Sequence, residues 1–251
     1  KLDIIKVGEN LTYSYSERNG IAIDDTWSND IRNMLHANPF LPNKDENGNY
    51  TGYTYDYLKE IGQYTGWTYE FVEPQGSMDE QLIQMMDMLE RGELDLVGAM
   101  NNNKQTSSVF DFPSENYGNA YSVIAVRDDD DRIDEYNLSD FKGLRIALLK
   151  QADYHNEKFY QYAKLNGIQY EIVWCERDGE QEERVYSGKA DALLSVDVSL
   201  SQGFRPVAKF SPTPFYFATT KGNTKIINEL NRAISYISEN NPTLQMNLYN
   251  K

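Results

Sequence analysis

The stretch 93–113, ELDLVGAMNNNKQTSSVFDFP, decides how the chain is read. Residues 94–99 are apolar enough for a short buried strand, residues 100–108 form a polar loop, and a second apolar piece, 109–112, stops at Pro113. A strand whose carboxyl end opens into Asn, Gln and Thr has the layout of a small-molecule site in an open α/β sheet. Asn101, Asn102 and Asn103 also suit ordinary turn residues that bond to their own backbone. Shape alone does not separate the two readings.

Working outward, the residues before this stretch alternate between strand and helix. Residues 4–7 are a first strand bounded by Gly8. A polar segment with Tyr13, Tyr15 and Trp27 follows, with a helix expected around 28–35. The Asn-Gly pair in DENGNYTG (45–52) marks a turn. A helix over 53–65 places Tyr57, Leu58, Ile61 and Tyr64 on one face, and Gly66 ends it as a C-cap. Strand 68–72 precedes a helix over 79–91, whose methionine-rich stripe at Met85 and Met86 reads as core packing. Alternation of this kind indicates βα units and a largely parallel sheet.

The chain also echoes itself. LERGELDLVGAM (89–100) and VYSGKADALLSV (185–196) share a helix end, a Gly, two residues, an Asp and a buried strand. Gly92 and Gly188 close the helices; Asp95 and Asp191 open the strands. Two such joints about a hundred residues apart indicate two similar lobes, although this αβ joint is a common one. Beyond Pro113 the expected elements are strand 121–126, strand 144–149, helix 154–166, strand 170–174, an acidic helix 179–187, apolar pieces at 207–210 and 215–219, and a final helix 224–239.

The stretch 93–113 resembles the first-lobe signature of the family 3 solute-binding proteins, two-lobed extracellular domains that close on amino acids and similar solutes. Leu96, Val97, Met100 and the apolar run 109–112 keep that frame, and LSDFKGLRIALLK (138–150) is similar to the family's Asp-Leu-Lys-Gly before an apolar strand. The resemblance covers nearly the whole chain. It implies an α/β fold of the type 2 periplasmic-binding-protein kind, each lobe a mostly parallel sheet flanked by helices. Lobe one would comprise 1–117 and 215–251, and lobe two 118–214. Two hinge crossings, near 116–120 and 211–216, would absorb the rotation, with Gly118 supplying freedom and Pro212 and Pro214 stiffness.

The resemblance also shows where this chain departs. In amino-acid-binding relatives an Arg after the central strand of lobe one holds the ligand carboxylate; the matching residue here is Thr106, and a family Thr corresponds to Asn101. On lobe two the Gly-Thr or Gly-Ser turn is replaced by Gln151, Ala152 and Asp153. The Asp that takes the ligand ammonium falls at Val196, with Asp197 one residue along. The expected ligand-binding set is therefore Asn101, Asn103 and Thr106 on one side and Asp153, Tyr154 and Asp197 on the other, with Tyr13, Tyr15 and Phe40 as aromatic walls. Such a set suits a neutral or cationic polar solute such as a sugar, peptide, nucleoside or amine, without a standard α-amino-acid clamp. The resemblance implies a membrane partner, either an importer permease or a transmembrane signalling module of the same protein. It also implies an extracellular or periplasmic, membrane-tethered setting. An enzyme on the same scaffold, a dehydratase or lyase using Glu9, Asp153 or Asp197, is the alternative.

The totals exclude other classes. Of the 251 residues, 40% are hydrophobic and 25% charged, as in folded soluble domains. No run approaches the roughly 20 apolar residues that span a bilayer. The absence of an initiating Met and a signal peptide reads as a trimmed fragment. A net charge of −15 without a basic stripe repels nucleic acid. Cys175 is the single cysteine, so an internal disulfide is excluded and a buried inert thiol is expected. His36 and His155 are far apart, no metal or cofactor is expected, and the acidic run 128–131 lacks the pattern of a calcium loop. As an isolated domain the chain is expected to be monomeric.

Overall fold

The computed structural model describes residues 4–8, 43–44, 48–72, 74–76, 78–135, 137–177 and 179–249. The expectations at Glu9, Tyr13, Tyr15, Phe40 and the helix 28–35 lie outside the described residues. By internal contacts the chain divides into two units, Lys1–Asn119 with Pro214–Lys251, and Ala120–Thr213.

In chain order, the first unit holds β1 (Ile4–Gly8), β2 (Asn43–Lys44), β3 (Tyr50–Thr51), α1 (Tyr53–Thr65), β4 (Thr68–Val72), α2 (Met78–Glu90), β5 (Val97–Met100), α3 (Thr106–Val109) and β6 (Phe110–Asp111). Strand β7 (Gly118–Arg127) enters the second unit, which continues with β8 (Leu144–Leu149), α4 (Asp153–Leu165), β9 (Tyr170–Cys175), α5 (Glu180–Tyr186) and β10 (Ala192–Val196). Strand β11 (Phe204–Thr220) returns to the first unit, which ends with α6 (Thr224–Asn240) and α7 (Leu244–Tyr249).

Local sequence explains most of these elements. Helix α1 buries Tyr57, Leu58 and Ile61 at three-four spacing, and Gly66 takes the left-handed conformation, φ 75, its N–H reaching Gly62 O at 2.8 Å. Helix α6 buries Ile226, Leu230, Ala233, Ile234 and Ile237 along one stripe, and Asn223 accepts the Ile226 N–H at its start. In the first unit β1 and β4 pair in parallel, and Met85, Met86, Leu89, Leu94, Val97 and Phe110 form one core cluster. The methionine stripe is core, as expected.

The second unit's sheet runs β7-β10-β8-β9, with β8 parallel to β9 and β10, and β7 antiparallel to β10. Both of its faces are covered. Ile146 and Leu148 enter a cluster with Phe141, Phe159 and Leu194, while Ala147 and Leu149 enter another with Cys175, Val185 and Phe204. Burial on both faces is why 144–149 reads as an unbroken apolar run rather than an alternating one.

The echoed segments fold identically. Gly92 and Gly188 sit at φ 72 and φ 70. Their N–H groups reach the carbonyls three residues back, Leu89 at 3.1 Å and Val185 at 3.0 Å, and the next residues, Glu93 and Lys189, reach Met88 at 2.8 Å and Arg184 at 2.9 Å. Asp95 then grips Lys6 with both of its polar edges: its N–H donates to Lys6 O at 2.8 Å and its Oδ2 accepts the Lys6 N–H at 2.8 Å. Asp191 grips Arg145 in the same way, at 2.8 and 3.0 Å. The Asp fixes the register of the strand beside it.

Two elements differ from the sequence reading. Residues 106–109 form a short helix inside the stretch read as loop and apolar strand. Residues 204–220 form one continuous strand instead of two pieces, with the change of direction taken up at Ser211, φ 48, a conformation serine rarely adopts. At Gly118 any side chain would meet Phe215, its Cβ landing 2.1 Å from the ring, so only glycine lets β7 start beside that aromatic.

Candidate functional site

In the first unit the loop after β5 is set by a buried tyrosine. Ala99 has φ 54, a left-handed conformation unusual for alanine, and its N–H donates to the Tyr117 hydroxyl at 2.7 Å. Tyr117 is fully buried and shares a second hydrogen bond with Thr54 Oγ1 at 2.8 Å. Its ring stacks on Phe217 with centroids 3.9 Å apart, and its carbonyl accepts the Tyr53 hydroxyl at 2.7 Å. Burial pushes the Tyr117 hydroxyl well above the ordinary phenol range, so it stays a neutral hydrogen-bonding group. Gly98 is required beside it, since a Cβ there would lie 2.9 Å from that hydroxyl.

Past this anchor the loop satisfies itself. The Thr106 hydroxyl donates to Asn101 O at 2.7 Å and accepts the Asn103 N–H at 3.0 Å. Asn103 Oδ1 accepts the N–H groups of Gln105 at 2.9 Å and Thr106 at 3.0 Å, which starts α3. The turn-residue reading therefore describes the Oδ1 of Asn103 and the hydroxyl of Thr106, a residue only 4% exposed. Asn101 is half-buried, and its side-chain amide makes no hydrogen bond among the described residues. It is thus left to offer itself outward, beside the exposed Asn102, Lys104 and Gln105.

In the second unit the remaining candidates share one edge of the sheet. Strands β8 and β10 are parallel, so Asp153 and Tyr154, just past β8, and Asp197, just past β10, emerge at the same end. Asp153 is exposed in the first turn of α4. Tyr154 is also exposed; its hydroxyl lies 3.4 Å from Thr213 Oγ1 and the Lys158 ammonium is 5.2 Å from its ring centre. Asp197 is different. Its side chain is 5% exposed, Oδ1 accepts the Tyr121 N–H at 2.9 Å, and Oδ2 pairs with Lys209 Nζ at 3.0 Å. Lys209 also sits 4.2 Å from the centre of the Tyr121 ring. The structure thus places three of the expected residues at one end of the sheet and adds Tyr121 and Lys209 beside Asp197, which the sequence reading missed. The one available signal was a lone Lys in the apolar strand VAKF (207–210).

The opposite edge of the same sheet holds a cavity of about 610 Å³ lined by Arg127, Asp129, Asp130, Arg132, Arg145 and Asp191. Its charges answer one another: Arg127 pairs with Asp129 at 2.6 Å, Arg132 with Asp130 at 2.7 Å and Arg145 with Asp191 at 2.9 Å. Within the acidic run, Asp129 and Asp130 are salt-bridged. No group of three His, Cys, Asp or Glu side chains suited to a metal ion occurs among the described residues. Cys175 is buried, and burial pushes its thiol up to about 11, which makes it unreactive at neutral pH. Among the described residues no helix is long and apolar enough to cross a membrane.

Comparison with known proteins agrees with this architecture. The chain is similar in structure to the second substrate-binding domain of a protein described as an amino acid ABC transporter from Streptococcus pneumoniae Canada MDR_19A. That match has a TM-score of 0.69 and 17% identity and covers 98% of each chain. It is similar to the L-cystine solute receptor of Neisseria gonorrhoeae in an unliganded open conformation, with a TM-score of 0.64, 19% identity and coverage of 99% of this chain and 93% of that one. It is similar to an ancestral amino acid-binding protein, a precursor of cyclohexadienyl dehydratase, with a TM-score of 0.54, 23% identity and coverage of 98% and 93%. No curated protein matches it in sequence. The sequence pattern of the bacterial extracellular solute-binding proteins, family 3, matches residues 33–247. The chain belongs to that family of bacterial extracellular solute-binding proteins.

Proposed function

We propose that this chain captures a small polar solute, neutral or cationic, by closing lobe 118–214 onto lobe 1–117 with 215–251, and that it performs no chemistry on it. The observation that carries the reading is the loop after β5. At the position where the resemblance puts an Arg for the ligand carboxylate, this loop has Thr106, whose hydroxyl is already spent on Asn101 and Asn103. The proposed hydrogen-bonding shell is Asn101, Asn103, Asp153 and Tyr154; the aromatic walls expected from the sequence, Tyr13, Tyr15 and Phe40, lie outside the described residues. Thr106 and Asp197 belong to that set as supports. Closure follows solute because each lobe supplies only part of the shell, and a ligand shifts the equilibrium by its differential affinity for the closed form.

The non-enzymatic reading is supported by the carboxylates themselves. Asp197 is held by Lys209 and a backbone amide. Asp153 is exposed in the first turn of α4, and among the described residues no second carboxylate hydrogen-bonds to it to make an acid–base pair. Capture on the outer side of a membrane gives the chain its partner, a permease or a transmembrane signalling module. A second reading, an α-amino acid as solute, is favoured by the structural neighbours, among them an L-cystine receptor and an amino acid transporter domain.

A thermal-shift panel of sugars, nucleosides, amines, short peptides and the twenty amino acids separates the two, since a ligand of the native state raises the melting point by linkage. A neutral or cationic polar solute as the strongest hit supports the proposal. An α-amino acid as the strongest hit establishes the second reading and removes the first.

A further inference from the structure

We propose that the Asp197 carboxylate and the face of Tyr121 form an ammonium niche, and that Lys209 of the same chain fills it and so turns away ligands bearing a primary ammonium. Three observations make the niche a receptor and not only an ion pair. The carboxylate is sunk, its side chain 5% exposed, so an uncompensated charge there is costly. It is oriented: the Tyr121 N–H fixes Oδ1 at 2.9 Å and leaves Oδ2 to face the cation. The third wall is the π face of the same Tyr121, 4.2 Å from the Lys209 nitrogen. A fixed carboxylate joined to an aromatic face is the chemistry by which proteins recognise alkylammonium groups.

The Lys209 side chain that fills this niche is 40% exposed. Removing the side chain therefore leaves a charged recess open to small molecules. The recess lies at the carboxyl-end edge of β10, the edge that carries Asp153 and Tyr154. This inference deepens the proposed function and rests on it for the claim about ligand choice. The niche itself does not depend on that reading.

Chemical complementation tests it. Lys209→Ala and the more soluble Lys209→Ser are melted with propylammonium chloride, with sodium chloride at the same ionic strength and with 1-propanol. Propylammonium restores the missing cation, and at about ten times its dissociation constant it raises the melting temperature of either variant by about 3 °C. Sodium chloride and propanol do not. Wild-type protein, whose niche is filled, gives no such rise, and neither does Asp197→Asn/Lys209→Ala, which lacks the counter-charge. If the folded single variants respond to propylammonium no more than to sodium chloride, or the response survives loss of Asp197, the niche does not exist. An equal rise in wild-type protein shows that Lys209 does not block it and overturns the proposal. Failure of every solute on wild-type protein counts against the proposed function alone, because the alkylammonium response is read without the natural ligand.

Discussion

The two units make the same joint with the same bonds at Gly92–Asp95 and Gly188–Asp191, and then finish their strands in opposite ways. In each joint a left-handed glycine closes a helix and an aspartate grips the neighbouring strand through both its amide and its carboxylate. At the carboxyl end of β5, Asn103 and Thr106 are consumed by their own loop, behind the buried hydroxyl of Tyr117, and the charged Lys104 is exposed. At the carboxyl end of β10, a sunk carboxylate is answered by a lysine from another strand. The joint fixes the register of the strand beside it. The proposed ligand chemistry falls at the strand ends, and there the two units differ.

The joints themselves are unequal in one respect, and this gives the largest expected effect. Asp191 also holds the Arg145 guanidinium through two bonds of 2.9 Å, whereas the Asp95 carboxylate accepts from the Lys6 amide. Asp191→Ala is expected to cost about 3 kcal/mol and Asp95→Ala about 1 kcal/mol in denaturant unfolding, the difference being charge-assisted bonds. Equal losses would show that the guanidinium adds nothing. The same pair gives unit two an acid sensitivity. The Arg145 guanidinium holds the Asp191 carboxyl below the usual carboxylate range. A depressed folded value means the contribution is complete above the unfolded value of about 3.9 and is lost as pH falls through the folded one. Asp191→Asn should flatten that part of the stability–pH curve below about pH 4, measured by melting across pH.

Tyr117→Phe sharpens the contrast at the strand ends. It leaves the Ala99 amide buried without its acceptor and should cost about 2 kcal/mol. It should also speed hydrogen exchange at Ala99 while leaving amides of β8–β10 unchanged; exchange that rises evenly across both units would deny Tyr117 a local role. Thr106→Val keeps the volume and removes the hydroxyl from Asn101 O and Asn103 N–H, for about 1 kcal/mol. Its solute affinity should fall with loop order, read by titration. The smallest effect is expected at the acidic surface. Arg127→Ala breaks an exposed pair and should change stability by less than about 0.5 kcal/mol.

Much of the fold was legible because its causes are local. Three-four spacing and Gly66 give α1, and a run of apolar residues covered on two faces gives β8. The Gly-x-x-Asp echo was visible because φ > 0 demands glycine and strand register demands a short acid. The short helix α3 was not legible, since Asn103 and Thr106 start it with side-chain bonds that read equally well as a turn. The unbroken course of β11 was hidden by Pro212 and Pro214, which sequence logic takes as a break; the bend instead falls on Ser211. At the site, the frame was carried by residue type and order, but the use of each side chain depends on partners far away in sequence. Asp197 looks like a ligand group until Lys209 and Tyr121 are seen beside it. Tyr117 looks like one of nineteen tyrosines until its hydroxyl is found on Ala99.

The central claim is that both strand ends serve one solute that carries no amino-acid carboxylate. Calorimetric titration of the strongest panel solute against wild-type protein and Asn101→Ala tests it most directly. The account predicts saturable one-to-one binding of a neutral or cationic polar solute, weakened about tenfold or more by loss of the Asn101 amide, the order expected when a buried ligand group loses its partner. Tight binding of an α-amino acid, undiminished in Asn101→Ala, would contradict it.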